Sequence, residues 1–334
     1  MSFDGKTRIL KIDDKSLKAA RELILSEELV AFPTETVYGL GATALSDSAV
    51  EKIFKAKGRP SDNPLIVHVH EDYDIEKLVY IDHDYARKLR EKFVPGPLTM
   101  VYRSRGAVSP IVTCGLDTVG IRVPYHEGAR KFLRAVGVPI AAPSANVSKH
   151  TSPVTAKHVY DDLSGKIPLI LDGGKCSGGI ESTVLDVTTD TPIILRSGLV
   201  TAEMIKEVVG KCEYSLNKPT DKARAPGMKY THYCPRCETA LFGANETERA
   251  QSFYDICVKD GKKPLFLSYG DLDNKLSGNK FYLGKTAEEI ASNLYYGLLE
   301  GEKTYDVIIA FEVVTGSDVD VGIMNRLSKA CAKK

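Results

Sequence analysis

The chain has 334 residues, 43% of them hydrophobic and 27% charged, with 45 basic against 44 acidic side chains and seven cysteines. Two domains of ordinary size are expected at this length, and a core can form without disulfide staples. A net charge of +1 excludes a global electrostatic grip on nucleic acid or membrane, although a local basic pocket depends on placement and not on the sum.

The cysteines are odd in number and scattered, which argues for a reducing compartment. The opening MSFDGKTRILKI lacks the apolar core of a signal peptide. No run approaches the ~18 apolar residues of a membrane helix. A cytoplasmic enzyme or binding protein, with no membrane partner, is the expectation.

In chain order, Thr7–Ile12 alternates as a strand, and Asp13 or Asp14 caps a helix to about Ser26. Leu29–Phe32 is a short strand. Ser46 or Asp47 caps a helix that stops near Gly58, and Leu65–His70 is a strand. Helices are expected over Tyr85–Phe93, His126–Val136 and Ala202–Val209. Strands are expected at Leu98–Arg103, Val119–Val123, Ile140–Ala142, Leu169–Leu171, Val184–Val187 and Ile193–Leu195. Without strict alternation this reads as a mixed-sheet α/β domain over residues 1–210. Residues 211–238 read as a linker, polar and without period in NKPTDKARAPGMKYTHYCP. Residues 239–334 alternate regularly and read as a small open α/β domain, Rossmann-like, with a parallel sheet expected.

Five segments carry polar residues where chemistry could sit. Lys55, Lys57 and Arg59 crowd a helix end; complementing the helix dipole would account for the lysines. The stiff loop that follows, with Asn63 between prolines, suggests in addition a phosphate grip by the arginine fork. In PTETVYGLG the choice lies between a glycine turn and a polar rim at a strand end. AAPSANVSKHTS is a tight Ser/Asn turn or a place of close ligand approach. Arg122 sits in an apolar strand and needs an anionic partner, structural or ligand-borne. GGIESTV and ILRSG could be ordinary turns. His68 and His70 point to one side of their strand. There is no G-x-x-x-x-G-K-[ST] and no G-x-G-x-x-G after a strand. Cys234 and Cys237 form a lone C-x-x-C, whereas a zinc clip wants a second pair.

Taken in order, PTETVYGLG, KAKGRPSDNPLIVH, PGPLTMV, TVGIRVP, APSAN, GGIESTV and ILRSG resemble the YrdC-like threonylcarbamoyl-AMP synthases from Leu29 to about Gly198. APGMKYTHYCP and the regular tail resemble that family's long, two-domain form. The resemblance implies a YrdC-like twisted mixed sheet with helices, followed by the smaller α/β domain. It implies formation of threonylcarbamoyl-AMP and pyrophosphate from L-threonine, bicarbonate and ATP, with Mg2+ accompanying the ATP. The product would pass to a tRNA threonylcarbamoyl transferase. Weak binding of tRNA or double-stranded RNA is compatible with the same role.

Carried over by motif, Lys57, Arg59, Ser144 and Asn146 are expected at the nucleotide, with Asn63, Thr118, Ser152 and Arg196. Lys55 is expected near the phosphates, and Lys57 and Arg59 are the expected catalytic pair. Thr36, His68, Arg122, Ala142 and Ser182 fall where the family holds L-threonine. Tyr230 and His232 match the linker segment that closes over the site. Cys234 departs from the family pattern, where a small non-cysteine residue is expected. The competing readings are a carbamoyl-adenylate-type transferase, whose paired C-x-x-C modules are missing here, and an RNA-binding module without catalysis, against which the near-neutral charge counts.

Overall fold

The structure, a computed structural model, describes residues 5–215 and 233–332. The first part runs β1 (Arg8–Lys11), α1 (Asp14–Leu25), β2 (Val30–Phe32), β3 (Gly39–Thr43), α2 (Asp47–Lys57), β4 (Ile66–His68), β5 (Val79–Tyr80), α3 (Asp84–Phe93) and β6 (Leu98–Ser104). It continues through α4 (Pro110–Thr113), β7 (Thr118–Arg122), α5 (Glu127–Val136), β8 (Ile140–Ala141), α6 (Ala156–Leu163), β9 (Leu169–Asp172) and β10 (Thr183–Asp186). It closes with β11 (Ile193–Arg196), α7 (Ala202–Val209) and β12 (Glu213–Tyr214). These strands form one mixed sheet, ordered β1-β9-β2-β3-β8-β4-β7-β6-β10-β11-β12, with β5 beside β6.

The second part is β13 (Glu238–Phe242), α8 (Thr247–Lys259), β14 (Pro264–Ser268), β15 (Lys280–Tyr282), α9 (Ala287–Gly301), β16 (Val307–Phe311) and α10 (Val319–Ala330). Its sheet, β13-β16-β14-β15, is parallel throughout, as α/β alternation requires. No helix among the described residues is long and apolar enough to cross a membrane.

Local chemistry sets the element ends. Asp13 caps α1 through the Ser16 amide, and Ser46 caps α2 through the Ala49 amide. Gly58 ends α2 at φ +58°, a conformation glycine adopts without a Cβ penalty.

One expectation fails at β3. Gly39 and Gly41 are not turn glycines; they lie in a fully buried strand paired with β2 and β8, while Thr34, Val37 and Gly39 line the polar pocket beyond the end of β2. Their role is close packing. A Cβ at Gly41 would lie 2.8 Å from Ile140 Cγ2, and one at Gly39 3.1 Å from the Phe32 ring. The strand has little intrinsic β-propensity, so its neighbours decide it. Helix α6 is also absent from the sequence reading. It forms because Thr155 caps it and Val159 and Leu163 bury against the sheet.

One apolar cluster runs from the first sheet through Ile180, Tyr233 and Tyr295 into the core of the second part. The two parts therefore share packing, and polar contacts at their seam are held in place from both sides.

Candidate active site

Helix α2 buries Val50, Ile53, Phe54 and Lys57, spaced as one helical face, while Lys55 stays exposed. The dipole argument therefore suffices for Lys55. It does not suffice for Lys57, whose ammonium enters the fold and donates to the carbonyl of Ser144 at 2.5 Å, to the carbonyl of Asn146 and to Asn146 Oδ1. Ser144 Oγ donates to the same Oδ1, and Asn146 Nδ2 donates to the carbonyls of Val147 and His150. The Ser-x-Asn turn is thus tied to the end of α2 by one cation. Burial first, and Arg59 second, push the Lys57 ammonium well below its ordinary pKa. Arg59 leaves the helix end and donates from Nη2 to the Asn63 carbonyl at 2.9 Å.

The opposite wall is a strand pair. Parallel register sets His68 of β4 beside Arg122 of β7. Arg122 Nη2 lies 2.9 Å from Glu35 and donates to Thr36 Oγ1 at 2.8 Å, so a structural carboxylate is one of its partners. Its buried Nε has no hydrogen-bond partner, and neither has His68 Nδ1. Burial, aided by Arg122, pushes His68 down to about 3, which keeps the ring neutral. It packs edge-on against Phe32, with ring centroids 5.8 Å apart.

A third wall joins these two. Arg196, at the end of β11, donates from Nε and Nη2 to the Ser182 carbonyl at 3.1 and 3.0 Å, and from Nη2 to Ser182 Oγ. Ser182 Oγ is 2.8 Å from Thr99 Oγ1. Next to it, Glu181 accepts the Ser152 hydroxyl at 2.6 Å.

These walls enclose one pocket. It is lined by the expected residues Lys57, Arg59, His68, Arg122, Ala142, Ser144, Asn146, Ser152, Ser182 and Arg196. Thr36 stands just behind it through its bond to Arg122. Three expected residues lie elsewhere. Lys55 lines an open surface groove that shares Arg59 with the pocket. Thr118 lines a separate small cavity between β4, β6 and β7. Asn63 is buried beneath Arg59, with no hydrogen-bond partner on either side-chain polar atom. Tyr230 and His232 lie outside the described residues.

Sequence reasoning assigned no role to several residues that shape the pocket. Glu35 and Glu181 sit inside recognised motifs, but their partners are distant in sequence, so nothing local marked them. Lys149, His150 and Tyr233 also line the pocket. His150 Nδ1 and Nε2 lie 2.8 Å from Asp162 and from Glu302, the residue closing α9. Burial opposes its charge, yet the two carboxylates hold its pKa up at about 9. Arg236 donates to the same two carboxylates. The backbone of Cys234 pairs with Lys149 and His150, so the far end of the expected linker returns to the Ser-x-Asn turn. Among the described residues no group of three or more His, Cys, Asp or Glu is placed to hold a metal ion.

Comparison with known proteins points the same way. Residues 22–198 match the Sua5/YciO/YrdC family model, described as telomere recombination, and residues 200–332 match the C-terminal domain model of threonylcarbamoyl-AMP synthase. A threonylcarbamoyl-AMP synthase of Pyrococcus abyssi is 42% identical over 327 residues, covering 96% of this chain and 95% of that protein. One from Bacillus subtilis is 42% identical over 335 residues, covering 98% and 96%. The crystal structure of P. abyssi Sua5 complexed with L-threonine superposes with a TM-score of 0.88 at 41% identity, covering 98% of this chain and 97% of that one.

Proposed function

The chain belongs to the Sua5/YciO/YrdC family, in the two-domain form that carries the threonylcarbamoyl-AMP synthase C-terminal domain, and from that premise we propose its reaction and the work of its residues. It is an enzyme of tRNA modification that takes L-threonine and ATP as substrates. The finer reading is a nucleotidyl transfer: threonine, bicarbonate and ATP give threonylcarbamoyl-AMP and pyrophosphate.

The observation that carries this reading is a single pocket with two unlike walls. One bears Lys57, Arg59 and the Ser-x-Asn turn, and the other bears Arg122 and a neutral His68, meeting at Ser182 and Arg196. Cations on the first wall suit phosphate oxygens, with Arg59 as the fork and Lys57 acting through the turn it holds. The second wall suits an amino-acid carboxylate, since Arg122 Nε lacks a partner. Neutral His68 and Thr36 are then neighbours for the amine and hydroxyl.

The amine, freed of its ammonium proton, and bicarbonate condense to a carbamate with loss of water; the carbamate attacks the α-phosphorus, and pyrophosphate leaves. That nucleophile is already anionic, so no strong general base is required. Rate comes from alignment and from neutralising charge on the phosphates. Magnesium enters with ATP as part of the substrate. The pocket's Glu181 is already engaged by protein donors, so an ion accompanying ATP would be held by phosphate oxygens more than by this carboxylate. The cytoplasm is the compartment this reading implies. The product serves a separate transferase acting on tRNA; a direct tRNA contact by this chain would register as binding that weakens steeply with salt.

The deciding experiment measures pyrophosphate release from ATP with threonine and bicarbonate each omitted in turn. Dependence on both is expected. Turnover without threonine would favour a carbamoyl-adenylate-type reaction, and no turnover would overturn the reading.

A further inference from the structure

We propose that Arg326, from the second domain, is a positioning residue for the nucleotide: it neutralises Glu181 in the pocket wall and so fixes Ser152 without presenting a bare negative charge to the phosphates. The inference rests on the reading that this pocket takes ATP.

Arg326 projects from α10 and is completely buried. Its Nε donates to Glu181 Oε2 at 3.0 Å, its Nη2 to the Glu181 carbonyl at 3.2 Å, and its Nη1 to the carbonyls of Ser197 and Gly322. Tyr295, on α9, donates to Glu181 Oε2 at 3.0 Å. Among the described residues, the first domain's side chains contribute one bond to this carboxylate, from Ser152 to Oε1. Glu181 is therefore held mainly by the second domain while it holds a residue of the nucleotide pocket.

The seam leaves Arg326 little freedom. Gly179, at φ +70°, lies so close to α9 that a Cβ there would come 2.3 Å from the Ala291 carbonyl oxygen. A Cβ at Gly322 of α10 would come 3.3 Å from Gly198 Cα. Backbones meet directly on both sides of the arginine, so its position is set by docking of the domains.

Electrostatics supplies the reason for the contact. A buried carboxylate beside a polyanionic substrate is a like charge in a water-poor site, which costs affinity unless it is neutralised. The groups facing Glu181 are Arg326, Arg196 and Lys329 as cations, and the neutral phenols of Tyr233 and Tyr295. Burial pushes the carboxyl up, but Arg326, then Arg196, outweigh it and hold it at about 2. Without Arg326 the burial penalty remains and the largest opposing charge is gone. The carboxyl then rises and competes for a proton nearer neutrality.

The test uses the full chain and ATP itself, with affinity read by equilibrium titration. Arg326→Met should bind ATP about tenfold more weakly at about pH 7.5 and regain much of that at about pH 6, where Glu181 takes a proton. The double variant Glu181→Gln with Arg326→Met should recover affinity at both pH values. Lower thermal stability with unchanged affinity and pH profile would mean that Arg326 is merely structural, and would overturn the inference. Should Arg326→Met fail to fold, Arg326→Gln decides: ATP affinity about tenfold weaker at about pH 7.5 and regained toward about pH 6 supports the inference, and affinity like the parent's at both pH values overturns it. A parent chain that binds no ATP would overturn the nucleotide reading and this inference with it, whereas failure confined to the variants overturns this inference alone.

Discussion

The Lys57 turn and the Arg122 strand, on facing walls of the pocket, treat their buried polar groups in opposite ways. Around Lys57 the protein bonds to itself: the ammonium, Ser144, Asn146 and His150 exchange bonds within one turn. Around Arg122 it leaves polar atoms without hydrogen-bond partners, notably Arg122 Nε and His68 Nδ1. A buried donor without a partner costs stability, so atoms left in that state at a pocket surface mark where a ligand completes the structure. The Lys57 turn is therefore a finished scaffold that shapes the phosphate site, although Asn63 beneath Arg59 keeps both amide atoms without a partner, and the Arg122 side is completed by substrate.

This contrast can be broken most severely at Lys57. Lys57→Met strips the Ser144 and Asn146 carbonyls of their donor, leaves Asn146 Oδ1 to Ser144 alone, and should destabilise the chain by about 3 kcal/mol or more, read by urea unfolding, with ATP binding lost as the turn relaxes. A variant with parental stability would show that the turn stands without the cation.

Arg122→Ala should act on the other wall and on the other substrate. We expect a loss of about 3 kcal/mol, on the order of a hundredfold in kcat/KM for threonine, with the ATP dissociation constant nearly unchanged. Equal losses for both substrates would erase the distinction between the walls.

A smaller effect should come from pH at the seam behind the first wall. His150 has a folded pKa of about 9, raised above an unfolded value of ~6.5. Its contribution is thus complete below the unfolded value and fades as pH rises through about 9. The seam should loosen by on the order of 2 kcal/mol on alkalisation, read as a falling protection factor, exchange measured against the intrinsic base-catalysed rate, at the end of α9, and His150→Gln should remove that fall. His158 bonds Glu300 across the same seam, but burial lowers its pKa. Its contribution therefore has the opposite sign and is lost as pH falls. Protection factors that stay flat with rising pH in the parent would sink the His150 assignment.

The mildest test concerns the strand beneath both walls. Gly41→Ala should cost roughly 1–3 kcal/mol through overpacking against Ile140, read as a lower melting temperature. No change would mean that β3 can shift to accept a methyl group.

Much of the architecture was legible from period and caps. Helix α2 was legible because Ser46, the apolar spacing and Gly58 act within a dozen residues, and β14 and β16 because a run of apolar residues bounded by polar turns has few other fates. Strand β3 was illegible because GLGAT carries no strand signal of its own. At the site, the motifs placed Arg122, His68, Ser182 and the Ser-x-Asn turn in one pocket. They also pointed to Thr118 and Lys55, which the fold sets in other clefts.

Local order along the chain, and the chemistry each motif could perform, were determined by sequence alone, because caps, periodicity and side-chain type act over a few residues. Tertiary structure decided how the charges are paired. Glu35 meets Arg122, His150 meets Glu302, and Glu181 meets Arg326 across separations that no local pattern encodes. Burial then makes each pairing consequential, since a charge removed from water must find its partner wherever the fold brings one. For that reason the resemblance could name the residues of the pocket, but not which of them are already committed to the protein and which remain open to substrate.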